Sequence, residues 1–122
     1  MKTTPLIRKI ECVESSAVPN VEGVRIQILL GEDDKMPNFQ TRLFTLDPGA
    51  FIPEHCHDTI EHEQVMLAGE MLLTLDGKEQ KVQAGDVVYI PAKVKHSYRN
   101  TGDSEARFIC MIPNGEYATE WS

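Results

Sequence analysis

The chain has little positive charge and no stretch that concentrates it. Twelve lysines and arginines stand against 19 aspartates and glutamates, for a net charge of −7 at pH 7. No basic face offsets that balance, which argues against nucleic acid or an anionic membrane as partner. Long apolar runs are missing too: none approaches the roughly 18 residues that suggest a membrane span. The start, MKTTPLIRKIECVESS, has only Leu6 and Ile7 before Arg8 and Lys9, so no hydrophobic signal segment is recognisable. Cysteine is scarce, with Cys12, Cys56 and Cys110 widely spaced and no CxxC pair. That usage suits a reducing cytosol better than a disulfide framework, and a cytoplasmic location is the expectation. Repeats, linkers and low-complexity tracts are absent. The 122 residues, 1–122, are expected to form one domain able to bury a core without staples.

What is present is a succession of short β-forming runs. VRIQILL at 24–30 and FQTRLFTL at 39–46 flank the loop GEDDKMPN. Pro48 and Gly49 in DPGA stand where a type II turn needs them. Gly69 divides EQVMLA from EMLLTL, and Asp76-Gly77 is a strong hairpin signal. VVYIP, HSYRN and ARFICMI complete the series. EHEQVMLAGEMLL could pass for a helix, but Gly69 in its middle and the flanking turns oppose that. Short strands at close intervals predict an all-β sandwich or barrel. The first twenty residues and the tail EYATEWS are weakly determined, with Trp121 expected to pack on the barrel or a partner.

Three of the four histidines lie within HCHDTIEH at 55–62, and the fourth is His96. On a strand, His55 and His57 point one way and Cys56 the other, so the pair is half of a metal site. His62 follows after a short loop, from which it can turn back toward them. His96 begins another strand that barrel closure can bring near. Neutral imidazole is the commonest metal ligand and needs no deprotonation at pH 7. With ordinary imidazole pKa values near ~6.5, an ion held this way would be released as pH falls toward about 6. Against this stands the plain alternative of four unrelated histidines on surfaces or in hydrogen-bonded core positions.

The stretch from Gly49 to Asn100 resembles the two motifs of the cupin superfamily. The first, G-x5-HxH-x3,4-E-x6-G, is matched over 49–69 by Gly49, His55, His57 and Gly69. The second, G-x5-PxG-x2-H-x3-N, is matched over 85–100 by Gly85, Pro91, His96 and Asn100, with Lys93 in place of the motif's glycine. The resemblance implies a double-stranded β-helix of jelly-roll type. It also implies a ligand six residues before the closing glycine. Glu61 would leave seven and Glu63 five; only His62 leaves six. The implied metal ligands are therefore His55, His57, His62 and His96. This set is similar to the all-histidine sites of small single-domain cupins that bind manganese or iron. A homodimer is likewise implied by the resemblance. If the Lys93 position needs a positive φ, lysine carries strain there.

Four neutral ligands leave an octahedral ion two open positions and its full charge, which favours an anionic or enolisable oxygen ligand. The expected cofactor is one divalent transition-metal ion, manganese or iron in the cell. Zinc, nickel or copper are expected competitors after purification, because affinity follows the Irving–Williams order. Such an ion supports a dioxygenase-type oxidoreductase acting on a small organic molecule. It equally supports a non-redox isomerase or lyase for a sugar acid or keto acid, or a binding or sensor module without turnover. Gln64 and Met66 share the parity of His62, and Tyr98 that of His96, so these are pocket candidates. Cys110 in FICMIP is a further one. For Met66 core packing is preferred, and for Cys110 an inert buried thiol. Asn100 is expected to secure a turn. Arg42 or Arg107 could bind a substrate anion, although arginines on alternating strands are more often solvated.

Overall fold

A computed structural model describes residues 4–122. The described residues form eleven strands: β1 Ser15–Ala17, β2 Val24–Leu30, β3 Phe39–Leu46, β4 Phe51–Cys56, β5 His62–Ala68 and β6 Glu70–Leu75. After them come β7 Lys78–Gln83, β8 Val87–Ile90, β9 His96–Arg99, β10 Ala106–Pro113 and β11 Glu120–Trp121. They form two antiparallel sheets, ordered β1-β2-β3-β10-β5-β8 and β11-β4-β9-β6-β7, packed face to face as a jelly roll. The described residues include no α-helix, only 3-10 turns at Ile10–Cys12 and Glu32–Asp34. None of their helices is long and apolar enough to cross a membrane.

The turns that fold the strands back are those written in the sequence. Gly49 has φ +82 and the Ala50 N–H donates to Asp47 O at 3.0 Å, closing a type II turn. Asp76 and Gly77 both take positive φ, 47 and 80, as the two-residue connection between β6 and β7 requires. Gly69, at φ +75, lets the chain leave one sheet at the end of β5 and enter the other as β6. The Asn100 carboxamide holds the loop after β9, donating to Leu46 O and Ser104 O and accepting from the Gly102 N–H.

Strict alternation divides each strand between core and exterior. Along β10, Ala106, Phe108, Cys110 and Ile112 are buried while their neighbours are half-exposed. Strand register then stacks the inward residues in layers. Ile26, Phe44, Phe108 and Met66 form one row across four strands, and Arg42, Cys110 and Gln64 form the next. The interior is therefore graded. Leu46, Met66, Met71, Leu73 and Ala106 fill an apolar part, whereas the histidines, Arg42 and Gln64 are among the buried polar side chains, with Thr45 and Asn100.

Candidate metal centre

Three strands and one loop bring the histidines together. Strand β4 carries His55, and its continuation carries His57. His62 opens β5, and His96 opens β9, paired with His55 across the sheet. Simple alternation from the buried Ile52 would have pointed Glu54 inward and His55 outward. A register shift between Ile52 and His55 re-phases the strand, and Pro53, which cannot donate to a ladder, sits within it. The freed Pro53 carbonyl accepts a hydrogen bond from His55 Nδ1 at 2.8 Å. His96 Nδ1 is held by Val94 O at 2.9 Å and His57 Nδ1 by Ala118 O at 3.2 Å. With Nδ1 committed to a carbonyl, each ring keeps Nε2 as its ligand atom.

The ligand nitrogens of His55, His57 and His96 lie within 4.8 Å of one another. His62 stands beside this trio, outside that limit. Its ring centroid is 5.1 Å from that of His57 and 5.3 Å from that of His96. Those separations match the 5.3 and 5.8 Å that part His57 from His55 and His96. His62 Nδ1 is also buried without a hydrogen-bond partner. A divalent transition metal fits this donor set: three oriented, buried imidazoles and a fourth with an uncommitted nitrogen. Glu61 and Glu63 both lie on the outside, as alternation requires, and Glu61 accepts a hydrogen bond from Tyr89 on the surface at 2.6 Å.

Burial pushes all four imidazoles below their ordinary range. His62 falls to about 3 and His96 to about 4, chiefly by desolvation, with the other rings adding to the effect. His55 and His57 shift the same way and for the same leading reason. The cluster is thus neutral and ready for an ion at pH 7, and proton competition moves to more acid pH than ordinary imidazoles would give. The sign for stability follows. In the unfolded chain these groups bind protons below about 6.5, earlier than in the folded one, so folding is favoured above that pH and disfavoured below it. Chelator-treated protein should therefore hold a constant urea midpoint above about pH 7 and lose it steadily from about 6.5 toward 4. His62→Gln should flatten that slope. A midpoint unchanged down to about pH 4.5 would contradict the assignment of neutral buried rings.

Lys93 takes the left-handed conformation at φ 72, so the position does need a positive φ. Its N–H donates to His57 O at 2.8 Å, tying the loop before His96 to the other motif. Left-handed backbone costs a non-glycine residue about 1–2 kcal/mol, and glycine returns about half of that as extra unfolded-state entropy. Lys93→Gly should stabilise the protein by about 0.5–1 kcal/mol in urea denaturation. A loss of stability would show that the lysine is held by something other than its backbone.

A cavity of about 360 Å³ opens over the cluster. Gln64, Tyr98 and Cys110 line it, as expected. Met66 does not: one layer deeper, paired with Phe108, it belongs to the apolar core, the place preferred for it over a position in the pocket. Arg42 is the larger departure from expectation. It is buried at 8% exposure, with its guanidinium 5.1 Å from the Phe44 ring centroid. Tyr98, Phe108 and Phe44 stack in sequence, each pair of centroids 5.2 Å apart and inclined by less than 20°. Burial raises the Tyr98 phenol above its usual range, so it stays protonated.

The weakly determined tail supplies Trp121, expected to pack on the barrel or a partner, and two residues that the sequence did not single out, Tyr117 and Thr119. Strand β11 pairs with β4, setting the Trp121 ring 4.9 Å from that of His55. Tyr117 lies edge-on to His57 at 5.1 Å, and Thr119 Oγ1 is 3.3 Å from His57 Nδ1. From the other end of the chain, Val18, Pro19 and Asn20 complete one wall. The three aromatic and hydroxyl side chains at 117, 119 and 121 alternate, which was the available signal. All three cysteines are free, and Cys56, turned from the cluster, contacts Glu120.

The cupin domain family model matches residues 42–112, more than half of the chain and all four histidines. Polyketide synthase CurC of Streptomyces cyaneus is 34% identical over 67 residues, 55% of this chain and 44% of its own. The oxalate-binding protein of Thermotoga maritima is 32% identical over 76 residues, 60% of this chain and 63% of its own. The chain spans about half the length of the curated relatives it matches first, 45% for Protein SchB of Streptomyces halstedii. Among solved structures, the polyketide cyclase RemF of Streptomyces resistomycificus superposes with a TM-score of 0.90 at 23% identity. That match covers 97% of this chain and 85% of RemF, and it bears on the fold alone.

Proposed function

The chain belongs to the cupin family, and we propose that it is a metal-dependent enzyme acting on a planar, enolisable small molecule by non-redox, ring-closing or isomerising chemistry. The observation that carries this is the combination of four neutral imidazoles with the stacked column Tyr98–Phe108–Phe44 in one cavity. The similarity to a polyketide synthase component supports the same substrate class. A divalent manganese or iron ion held by His55, His57, His96 and, we propose, His62 would act as a Lewis acid toward a carbonyl or enol oxygen.

The chain's own residues do the rest. The aromatic column gives the cavity an apolar wall for a conjugated ring system. Tyr98, kept neutral, presents an O–H group rather than a charge to the cavity. Trp121 and Tyr117 lie against the histidine rings at the mouth, where they restrict water. The dioxygenase expected from the donor set is the second reading, favoured by the coordination positions that four imidazoles leave open. Metal-reconstituted protein should convert enolisable aromatic β-dicarbonyl compounds under nitrogen. Conversion that stops without oxygen and consumes it stoichiometrically would replace ring closure by oxygenation. Binding of those compounds without turnover would leave a non-catalytic module.

We also propose a homodimer that covers the open edge of the six-stranded sheet. Strand β8 ends that sheet with Val87 and Tyr89 exposed, beside Leu67 on β5. Unpaired edge strands carrying apolar side chains invite a partner. Light scattering at the mass of one chain would overturn this.

A further inference from the structure

Buried polar atoms are almost always hydrogen-bonded. Among the described residues four buried side-chain atoms are not: Arg42 Nε, His62 Nδ1, Gln64 Oε1 and Asn114 Oδ1. The first three line the same cavity. His62 belongs to the metal centre, but Arg42 and Gln64 do not, and they sit in one row of the six-stranded sheet with Cys110 between them.

Arg42 is a buried cation without an anion. Its Nη2 donates to Cys110 Sγ at 3.2 Å and its Nη1 to Tyr117 OH at 3.4 Å, both poor substitutes for a carboxylate. No ion pair among the described residues includes it, and no aspartate or glutamate is among the cavity's described lining residues. Arginine cannot shed its proton to escape the cost of burial. A chain of net charge −7 thus keeps a positive charge without a carboxylate partner in the cavity that the histidines share. Gln64 has the opposite need. Its Nε2 is used by Tyr98 OH at 2.7 Å and Cys110 Sγ at 3.6 Å, leaving Oε1 as an acceptor without a donor.

We infer that Arg42 and Gln64 form a substrate anchor that selects a hydroxy-substituted aromatic or conjugated carboxylate. The anionic oxygens meet the guanidinium, the hydroxyl donates to Gln64 Oε1, and the ring lies on the Phe44–Phe108–Tyr98 column. The two anchor residues start two strands apart, but their polar ends converge on Cys110 Sγ, at 3.2 Å from Arg42 Nη2 and 3.6 Å from Gln64 Nε2, so the carboxylate and the hydroxyl belong to one small, compact ligand. Arg42 is thereby a specificity residue of the proposed enzyme, and the inference rests on that reading for the identity of the substrate, though not for the anchor itself.

The test uses the full-length protein, chelator-treated and metal-loaded, titrated with 4-hydroxybenzoate and with its neutral methyl ester by calorimetry. The carboxylate of 4-hydroxybenzoate can also bind an ion, so its binding to the chelator-treated form, where no ion competes, is what reports the anchor. The acid should bind both forms at least tenfold more tightly than the ester. Arg42→Gln should weaken the acid by at least tenfold and leave the ester unchanged, and Arg42→Lys should retain part of the preference. Gln64→Leu should weaken both compounds. Equal affinity for acid and ester, no binding of the acid, or an acid affinity untouched in Arg42→Gln would each overturn the anchor. The acid–ester comparison on the unaltered protein decides the matter even where Arg42→Gln does not fold. Acid binding that persists in protein without turnover would sink the proposed function and leave the anchor standing.

Discussion

Replacing His62 with alanine should lower metal affinity by at least about 100-fold, because loss of an outer-shell partner alone costs about 10–100-fold. His62→Glu should restore most of it, since a carboxylate from the same backbone position can reach the ion while reducing the site's charge. Glu61→Ala and Glu63→Ala should change affinity little, as both side chains are exposed. Chelator competition at fixed pH measures all four variants. His62 falls outside the tight trio, yet its ring is as near to His57 as those of His55 and His96 are. Retention of the ion within about threefold in His62→Ala, a small effect by that comparison, would leave three histidines and no fourth.

Gly69→Ala should cost about 3 kcal/mol of stability, or on the order of 10 °C in Tm. A Cβ there would meet Glu105 O at 2.5 Å and Ala106 Cα at 3.0 Å, with φ at +75. The left-handed backbone contributes about 1–2 kcal/mol and the overpacking against backbone about 1–3 more. Neither contact is a flexible side chain that could swing aside. Thermal unfolding of the chelator-treated protein measures the effect, and a loss under about 1 kcal/mol would mean that β10 shifts away at little cost. The position matters to function because it lets β5, with His62 and Gln64 inward, belong to one sheet and β6 to the other.

Local chemistry made much of this legible. VRIQILL and FQTRLFTL are strands with the expected bounds, because β-forming residues there are closed by loop and turn residues that permit nothing else. His62 faces inward and its acidic neighbours outward for the same period-two reason. The bulge at β4 was not legible: the parity of His55 and His57 is right, but their facing the core depends on a register shift that Pro53 only hints at. Nor was Arg42. A lone arginine on an alternating strand reads as solvated, and what buries it is Phe44 on its own strand with Cys110 and Tyr117 from distant segments. The tail was legible only as a place where Trp121 would pack, because β11 is two residues long and takes its place by pairing with β4 rather than by any pattern of its own.

The central claim is that the histidine cluster holds one metal ion per chain. Protein prepared without an affinity-column metal, stripped, reconstituted with manganese or iron and freed of excess should be taken to elemental analysis beside His96→Ala. The unaltered chain should hold close to one equivalent and the variant little, since its missing ring is the one paired with His55 across the sheet. Well under one equivalent in the unaltered chain, or the same content in both, would contradict it.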